Sequence, residues 1–348
     1  MDPVTHLLTG ACLSRAGFNR TTALATLTMT LAAEAPDIDV VAGFWGPLVG
    51  FAHHRGITHT FLGAPFMSAL VLAVVWIIHR LWTRGERRPT KLPIRWGVLY
   101  LLALVATLSH ILLDFTNNYG VRPFFPFNAR WYSWDIIFIV EPVMLAVMIL
   151  ALILPSIFAL VSSEVGARRP AFRGRGLAIA ALVIIAAFWL VRDVQHRQAL
   201  RMLASRDYPT GVMKRAGVMP YPIDPFHWFA VVETENAYET FDVRSNDLKM
   251  TSYGSDGTFF KPPETAASLA AKSSPVGKVY LDWAMFPLTQ TLPESDGYTV
   301  YFRDVRYFYS PVPSRTDESE IRSTLGAHVE LDRRLNVVGM WMGKREQK

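Results

Sequence analysis

Cysteine and charge are both scarce in this chain. Its 348 residues include a single cysteine, Cys12, and no glycine repeat, which excludes a disulfide-stapled or collagen-like protein. Only 18% of the residues are charged, against about 25% in an average soluble domain. Apolar side chains are abundant instead, since 51% of the residues are hydrophobic and the mean hydropathy is +0.21. These values exclude an intrinsically disordered protein and are typical of a chain that enters a membrane.

The charges are unevenly distributed along the chain. Residues 1–200 carry 17 Lys and Arg but only 10 Asp and Glu, a net charge of +7, whereas residues 201–348 carry 18 and 19, a net charge of −1. The basic excess therefore belongs to the apolar part, which argues against a nucleic-acid partner and for the lipid bilayer. We predict an α-helical multi-span membrane domain over residues 1–198, followed by a soluble, mainly antiparallel β domain over residues 199–348.

Five apolar runs in the first part are candidate membrane helices. A span needs about 20 mainly apolar residues. Thr60–Ile78 nearly reaches this length without a charge, and Pro142–Ser163 exceeds it. Runs shorter than this are ambiguous between a span and a buried core helix. The shorter runs are Thr21–Ala33, Trp96–Ser109 and Gly176–Val191.

The basic residues of the loops indicate an orientation. Short loops rich in Lys and Arg stay on the cytoplasmic side of a membrane, and such loops join the second run to the third and the fourth to the fifth. With both inside, the C-terminal domain is extracytoplasmic, and the protein is expected to be a multi-pass protein of the inner (cytoplasmic) membrane. No cleavable signal peptide is evident in residues 1–20. The basic loop residues are Arg84, Arg87, Arg88, Lys91 and Arg95, then Arg168, Arg169, Arg173 and Arg175, while Arg192, Arg197 and Arg201 on the outer flank are contrary to the rule.

The C-terminal part shows short apolar and aromatic runs between Pro, Gly and Asp residues. Several of these runs alternate with period two, which predicts half-buried strands. Residues 252–274 are expected to form a long loop. The predicted strands are Phe226–Glu233, Tyr238–Val243, Lys278–Phe286, Tyr298–Tyr309 and Val337–Trp341.

The few acids and histidines of the first part lie beside the apolar runs, in four segments. Ionisable groups in or next to a span are costly to keep there, so they are functional candidates. A single His or Asp can simply cap a helix or stabilise a bend, but four segments with the same chemistry favour a shared site. The segments are Thr5-His6, residues 34–39 (EAPDID), residues 53–59 (HHRGITH) and residues 110–114 (HILLD).

The spacing within two of these segments lets their side chains converge. Pro36 ends the preceding helix and turns Asp37 and Asp39 toward one side. His54 and His59 flank a glycine turn directly before a span, so that both imidazoles can reach one centre. Carboxylates and imidazoles are ligands for hard and borderline metals.

His110 and Asp114 lie four residues apart on an apolar helix, so both side chains share one face. Nitrogen and oxygen ligands without a useful thiol indicate a divalent metal, with Zn²⁺ the first expectation. The segments offer more ligands than one catalytic zinc needs, so one or two ions fit. Water activated by the metal is the expected nucleophile. Glu34 or Asp39 is expected to take its proton, and Arg55 to hold a phosphate with two of its nitrogens.

The order of these motifs resembles a known family. An N-terminal Thr-His, an xPDxD element, HRGxTH and a final HxxxD on a hydrophobic helix together resemble the YdjM-like family, bacterial membrane proteins that are predicted metal-dependent hydrolases. The resemblance covers residues 1–145. The order is also similar, more distantly, to the zinc-dependent phospholipase C and P1 nuclease constellation, although a second downstream HxxxE/D pair is missing. That similarity implies as metal ligands His6, Asp37, His54 or His59, His110 and Asp114.

The expected function is a membrane-embedded, phospholipase-like hydrolase. It would cleave an ester or phosphoester of an amphiphilic, lipid-like substrate at the outer membrane–water interface. The alternative is a metal-ion or proton transporter, because intramembrane His and Asp also mark ion pathways. A transporter needs polar residues in series across the bilayer, and the cytoplasmic halves of these runs are nearly free of acids and histidines. A third interpretation is a non-catalytic membrane anchor for the C-terminal domain.

Overall fold

The computed structural model describes residues 1–83, 92–164, 174–254, 257–309 and 325–347. The predicted sidedness rests mainly on basic residues at 84–91 and 165–173, which lie outside the described residues. The orientation of the spans therefore stays a prediction.

The chain folds as two units. One consists of Met1–Asp39 and Arg55–Asp193, the other of Val40–His54 and Val194–Lys348. The first is helical and the second is built mainly from antiparallel strands, which confirms the predicted fold class. The helices that precede the strands are α1 (Pro3–Ala16), α2 (Ala25–Glu34), α3 (Pro47–His53), α4 (Gly63–Trp82), α5 (Trp96–Phe115), α6 (Pro142–Glu164) and α7 (Arg175–Ala204).

Three of these helices, α4, α5 and α7, are long and apolar enough to cross a membrane. Within the described side chains, the apolar part of α6 runs over Pro142–Phe158. Helix α2 has ten residues and is about 15 Å long, which is half the thickness of a hydrocarbon core. The predicted number of about five membrane helices is therefore approximate. Large apolar side chains such as Phe66 on α4 and Leu101 on α5 are 71% and 60% exposed, as expected of surfaces that face lipid.

Helix α2 lies in the core of the first unit, packed against α1, α4 and α5. The contact with α1 is close because α1 has a glycine there. A Cβ atom added to Gly10 would lie 2.4 Å from the carbonyl oxygen of Met29 and 2.8 Å from Cβ of Ala33. Small residues of this kind let two helix backbones approach each other. The packing brings the start of α1 and the end of α2 to the same end of α5, where the functional segments lie.

A buried ion pair joins the start of α6 to α7. The guanidinium of Arg192 donates to Oε2 of Glu141 at 3.1 Å, and both side chains are fully buried. We expect Arg192→Met to lower the free energy of unfolding by about 3–5 kcal/mol, because it leaves a buried carboxylate without its cation. The double variant Arg192→Met/Glu141→Leu should recover part of this loss. Thermal unfolding of the full-length protein in detergent tests both, and an unchanged melting temperature in the single variant would contradict the assignment.

Two five-stranded antiparallel sheets form the second unit. In the first sheet the order is β1-β2-β3-β4, with β5 also paired to β3, and in the second it is β10-β9-β8-β7-β6. Two short helices lie between the sheets in sequence. The elements are β1 (Arg215–Pro220), β2 (His227–Glu233), β3 (Ala237–Arg244), β4 (Lys249–Ser252), β5 (Thr258–Phe260), α8 (Ala266–Ser273), α9 (Pro275–Trp283), β6 (Pro287–Glu294), β7 (Gly297–Asp304), β8 (Ala327–Asp332), β9 (Val337–Met342) and β10 (Arg345–Gln347).

Three details of the predicted secondary structure are wrong. The segment Lys278–Phe286, predicted as a strand, lies largely in α9. Ser274 caps this helix by accepting from the backbone N–H of Gly277, and Pro275 begins it. The buried positions Val276, Tyr280 and Trp283 have helical spacing. The predicted loop 252–274 contains β5 and α8, and the predicted strand 298–309 ends at residue 304, where a 3₁₀ turn begins.

Candidate metal centre

Four side chains from three segments of the chain meet in the first unit. Asp37, His59, His110 and Asp114 each offer one ligand atom, and these atoms lie within 4.8 Å of one another. His110 and Asp114 come from one face of α5. Pro36 lies at the start of the 3₁₀ helix Ala35–Trp45, which carries Asp37, and His59 ends a short 3₁₀ turn just before α4. A non-catalytic anchor would need no such convergence.

The distances within the cluster are close to those of a tetrahedral metal site. Nε2 of His59 and Nε2 of His110 are 3.0 Å apart, and each is 3.4 Å from Oδ2 of Asp114. Oδ1 of Asp37 lies 3.2 Å from His59 Nε2 and 3.5 Å from His110 Nε2. With metal–ligand bonds of 2.0–2.1 Å, neighbouring ligands of a tetrahedral zinc are about 3.3 Å apart.

In His59 and His110, the nitrogen that faces away from the cluster is Nδ1. The contacts of Nδ1 determine which nitrogen of each ring carries the proton. Nδ1 of His110 is 2.7 Å from the carbonyl oxygen of Ala33, which can only accept, so Nδ1 is the donor. Ala33 lies in the last turn of α2, where carbonyls lack a helical partner. Nδ1 of His59 lies 3.2 Å from Oδ2 of Asp39 and 3.0 Å from Oγ1 of Thr58. Because the Thr58 hydroxyl donates to that same carboxylate oxygen, it can only accept from His59, so Nδ1 is again the donor. Both Nε2 atoms therefore direct lone pairs into the cluster.

The cluster therefore has the chemistry of a cation site. Two imidazole lone pairs and two carboxylates face one point, and Oδ2 of Asp114 is buried without a hydrogen-bond partner among the described residues. His59, His110 and Asp114 are fully buried, whereas the Asp37 side chain is 20% exposed and leaves one side open. The Arg55 guanidinium and the α-amino group of Met1 contact Oδ1 of Asp114, and a cation at the cluster would compensate the second carboxylate, Asp37. Two nitrogen and two oxygen ligands suit Zn²⁺ and similar divalent ions.

Asp37 is held in its ionised form by its neighbours. Burial by itself would raise the pKa of this carboxyl, but a proton on Nε2 of His110 or His59 outweighs burial and holds its pKa well below the usual range. A cation bound between these atoms would replace that proton and act on the carboxylate in the same direction. Glu34 shows the opposite behaviour. Burial, assisted by the negative charge of Asp37, raises the pKa of Glu34 to about 8. Its Oε2 atom is buried and has no hydrogen-bond partner among the described residues.

His6 adjoins the four-residue cluster. Its ring stacks on that of His110 at 3.7 Å between centroids, and its Nε2 is 3.5 Å from Oδ1 of Asp114. The α-amino group of Met1 contacts the same carboxylate oxygen and lies 3.1 Å from His6 Nε2. The Nδ1 atom of His6 is buried and has no hydrogen-bond partner in the described part of the chain. The predicted ligand role of His6 stays a prediction.

Arg55 is buried beside the cluster and is held by protein groups. Its guanidinium donates to Oδ1 of Asp114 at 2.9 Å, to Oδ1 of Asn117 at 3.2 Å and to the carbonyl oxygen of Gly120 at 2.8 Å. It also lies over the ring of Tyr119, 4.7 Å from the centroid. These contacts orient Asp114, so that its other oxygen points to the imidazoles. The phosphate-holding role predicted for Arg55 stays a prediction.

Two further predicted residues have different surroundings from those that the sequence suggested. Asp39 accepts from the backbone N–H of Arg55 at 2.7 Å as well as from His59, so it positions a neighbouring imidazole. His54 caps the C-terminal end of α3 and belongs to the second unit. His59, and not His54, belongs to the four-residue cluster.

Asn117 is a contributor that the sequence analysis missed. Its side chain donates to Oδ1 of Asp114 at 3.4 Å and accepts from Arg55. Asn117 lies two residues beyond the end of α5, so helical spacing did not indicate its contact with Asp114. The carbonyl oxygen of Ala33 carried no sequence signal at all, since every residue has one.

The contact between Asp39 and His59 leads to a quantitative prediction. Partners that hold the far nitrogen of a metal-binding histidine typically contribute 10–100-fold to metal affinity. We therefore expect Asp39→Asn to weaken Zn²⁺ binding roughly 10–100-fold, measured by competition with a chromophoric chelator. Asp193→Asn, which alters a carboxylate that accepts from Trp134, is the matched control. Equal affinities of the Asp39 variant and the wild type would contradict the assignment.

Comparisons with known proteins agree with these observations. The profile of the YdjM inner membrane protein family matches residues 1–199, which include the complete cluster. The uncharacterized protein YfhP of Bacillus subtilis (strain 168) is 27% identical over 150 residues, which are 41% of this chain and 42% of YfhP. The chain thus matches less than half the length of this relative. No solved structure is significantly similar to the present chain. The family profile covers more than half of the chain, and the three apolar helices accord with its description, so the protein belongs to the YdjM family of inner membrane proteins.

Proposed function

We propose that the protein is a membrane-embedded metal-dependent hydrolase that cleaves an ester or phosphoester bond of an amphiphilic substrate. The observation that carries this proposal is the convergence of two imidazole nitrogens and two carboxylates, from three segments, on one point at the end of an apolar helix. A Zn²⁺ ion bound there would lower the pKa of a water molecule and polarise the bond to be cleaved.

The chain's own residues have separate roles in this proposal. Asp37, His59, His110 and Asp114 hold the ion, while Asp39 and Arg55 position His59 and Asp114. Glu34 is the better candidate for the general base, because Asp39 is already engaged as an acceptor. The raised pKa of Glu34 suits a group that exchanges a proton near neutral pH. Oε2 of Glu34, which has no hydrogen-bond partner in the described part of the chain, is available to accept that proton.

The position of the cluster supports a lipid-like substrate. His110 and Asp114 lie in the last two turns of α5, a 20-residue helix of the length that spans a hydrocarbon core. A site at the end of a span lies close to the head groups, where the ester bonds of amphiphilic molecules are found. We propose that this end is the outer one, in accordance with the distribution of basic residues in the loops.

The same position argues against the transporter interpretation. A pathway for ions needs polar groups in series through the bilayer. The acid and histidine side chains of α5 are His110 and Asp114, both at one end, and α4 carries His79 and Arg80 in its last turn. Within the described residues, the ligand atoms form one cluster and not a series.

The proposal is tested with the purified full-length protein in detergent. Zn²⁺-loaded protein is incubated with diacyl phospholipids, lysophospholipids and long-chain alkyl phosphates, and released products are identified by mass spectrometry. We expect hydrolysis of at least one class, its loss after chelation and its recovery with added Zn²⁺. If no class is hydrolysed, while protein in sealed vesicles moves Zn²⁺ or protons across the membrane, the transporter interpretation is correct and the hydrolase proposal is wrong.

A further inference from the structure

An open hollow of about 630 Å³ lies in the second unit, between the last turns of α7 and the hairpin formed by β3 and β4. Its described lining contains two arginines and no acid. The other lining side chains are the amide of Gln198, the hydroxyl of Ser205 and three apolar side chains. Arg201, Met202, Ser205 and Arg206 line it from the α7 side, and Leu248 and Met250 line it from the hairpin. A basic hollow with an apolar side is suited to an anionic, amphiphilic ligand.

The two arginines differ from others of the same unit in their pairing. Both Arg201 and Arg206 are exposed, and neither forms an ion pair within the described part of the chain. Arg206 lies over the ring of Phe241, 5.5 Å from its centroid, and keeps its charge uncompensated. Several other arginines of this unit are matched with carboxylates. The matched pairs are Arg215 with Glu233, Arg244 with Asp224, and Arg306 with Asp304.

The position of Arg201 can be measured along α7 from the last exposed apolar side chains of the same helix. Helix α7 continues without interruption to Ala204. Its large apolar side chains remain exposed as far as Val194, which is 53% exposed. Arg201 follows seven residues later, about 10 Å along the helix axis. The head-group layer on each side of the hydrocarbon core is about 5–7 Å thick, so Arg201 lies just beyond it, within reach of its long side chain.

Leu248 adds a second, independent feature on the hairpin side. It is 64% exposed and adopts a φ of +52°, a conformation that non-glycine residues seldom adopt. Such backbone strain is retained where the surroundings or a function require it. The turn presents a large apolar side chain beside two unpaired arginines. Apolar groups next to basic ones are typical of a protein surface at a membrane interface.

We infer that this hollow binds the phosphate group of an anionic phospholipid in the leaflet where α7 emerges. Arg201 and Arg206 donate N–H groups to the phosphate oxygens, and Met202 and Leu248 pack against the glycerol and the upper acyl chains. The site would also account for Arg201, one of the three arginines on the flank that is contrary to the topology rule. It lies in the second unit and is independent of the proposed hydrolysis at the metal centre.

The test uses the full-length protein in detergent and native mass spectrometry with added phosphatidylglycerol or phosphatidylcholine. The wild type is expected to retain phosphatidylglycerol in preference to phosphatidylcholine. Arg201→Gln/Arg206→Gln is expected to weaken phosphatidylglycerol binding roughly ten- to thirtyfold, as two interfacial arginines contribute about this much. Arg333→Gln/Arg334→Gln removes the same charge elsewhere in the unit and should bind like the wild type. Because Arg201 and Arg206 are exposed, the variants should fold normally, which circular dichroism checks.

Three results would overturn the inference. The first is equal retention of the two lipids by the wild type. The second is an equal loss of phosphatidylglycerol binding in both double variants, which would show a general charge effect. The third is displacement of the lipid by inorganic phosphate at equal concentration, which would show that the hollow recognises phosphate alone. Each of these results leaves the hydrolase proposal unaffected, because the metal centre uses other residues.

Discussion

Replacing His59 by alanine is expected to remove Zn²⁺ from the protein. Its Nε2 atom lies 3.0–3.4 Å from ligand atoms of three cluster residues, and its proton is held on the opposite nitrogen by Asp39. Residues that only position a ligand contribute 10–100-fold to metal affinity, so loss of the ligand itself should exceed roughly a hundredfold. The metal content after dialysis is measured by inductively coupled plasma mass spectrometry. It should fall from one Zn²⁺ ion per chain to a small fraction of an ion per chain.

His54→Ala is the matched control for this experiment. The sequence left open which of the two histidines that flank the glycine turn binds the metal. In the structure His59 belongs to the cluster, whereas His54 caps α3. We therefore expect the His54 variant to retain its metal. Loss of metal in the His54 variant, with retention in the His59 variant, would contradict the assignment of ligands.

Replacing Glu34 by glutamine is expected to lower the rate of hydrolysis without removing the metal. The change keeps the size of the side chain and removes its ability to accept a proton. General-base catalysis typically contributes about 10²–10⁴-fold, so kcat should fall by a factor in this range while the metal content stays at the wild-type level. The steady-state rate on the substrate identified for the wild type, together with the metal content of the same sample, provides the measurement.

Asp39→Asn separates the two roles. Its carboxylate supports His59, so its loss should affect metal affinity, and saturating Zn²⁺ should restore most of the activity. Added Zn²⁺ should not restore the Glu34→Gln variant. If Zn²⁺ rescues both variants equally, Glu34 acts as a metal support and the proposed base is wrong.

Much of the architecture could be predicted because it depends on local patterns. The HxxxD spacing places His110 and Asp114 on one helix face in any helix, and uncharged runs of about 20 residues indicate spans wherever they occur. The strand prediction failed at residues 278–286, where a Ser-Pro helix start outweighs an apolar sequence of suitable length for a strand. There the capping residue was the better guide than the apolar content.

The roles of residues around the metal centre depend on long-range contacts and could not be predicted. Asp39 and Glu34 are five residues apart in an acidic segment and look equivalent in sequence. Asp39 lies against His59 and the backbone of Arg55, whereas one oxygen of Glu34 lacks a partner. The difference arises because Asp39 lies in the 3₁₀ helix Ala35–Trp45, whereas Glu34 lies at the end of α2. The geometry of the 3₁₀ helix turns the Asp39 carboxylate toward His59. Arg55 faces Asp114 because its segment packs against the end of α5.

X-ray absorption at the zinc edge of the Zn²⁺-loaded, full-length protein tests the central claim most directly. The proposed site predicts one ion per chain, a shell of nitrogen and oxygen ligands at about 2.0–2.2 Å, and multiple scattering from two imidazoles. The His110→Ala variant, reloaded with excess Zn²⁺, should lose one imidazole from this signal. A protein that binds no stoichiometric metal, or a spectrum without imidazole scattering, would contradict the metal centre and the proposed hydrolase with it.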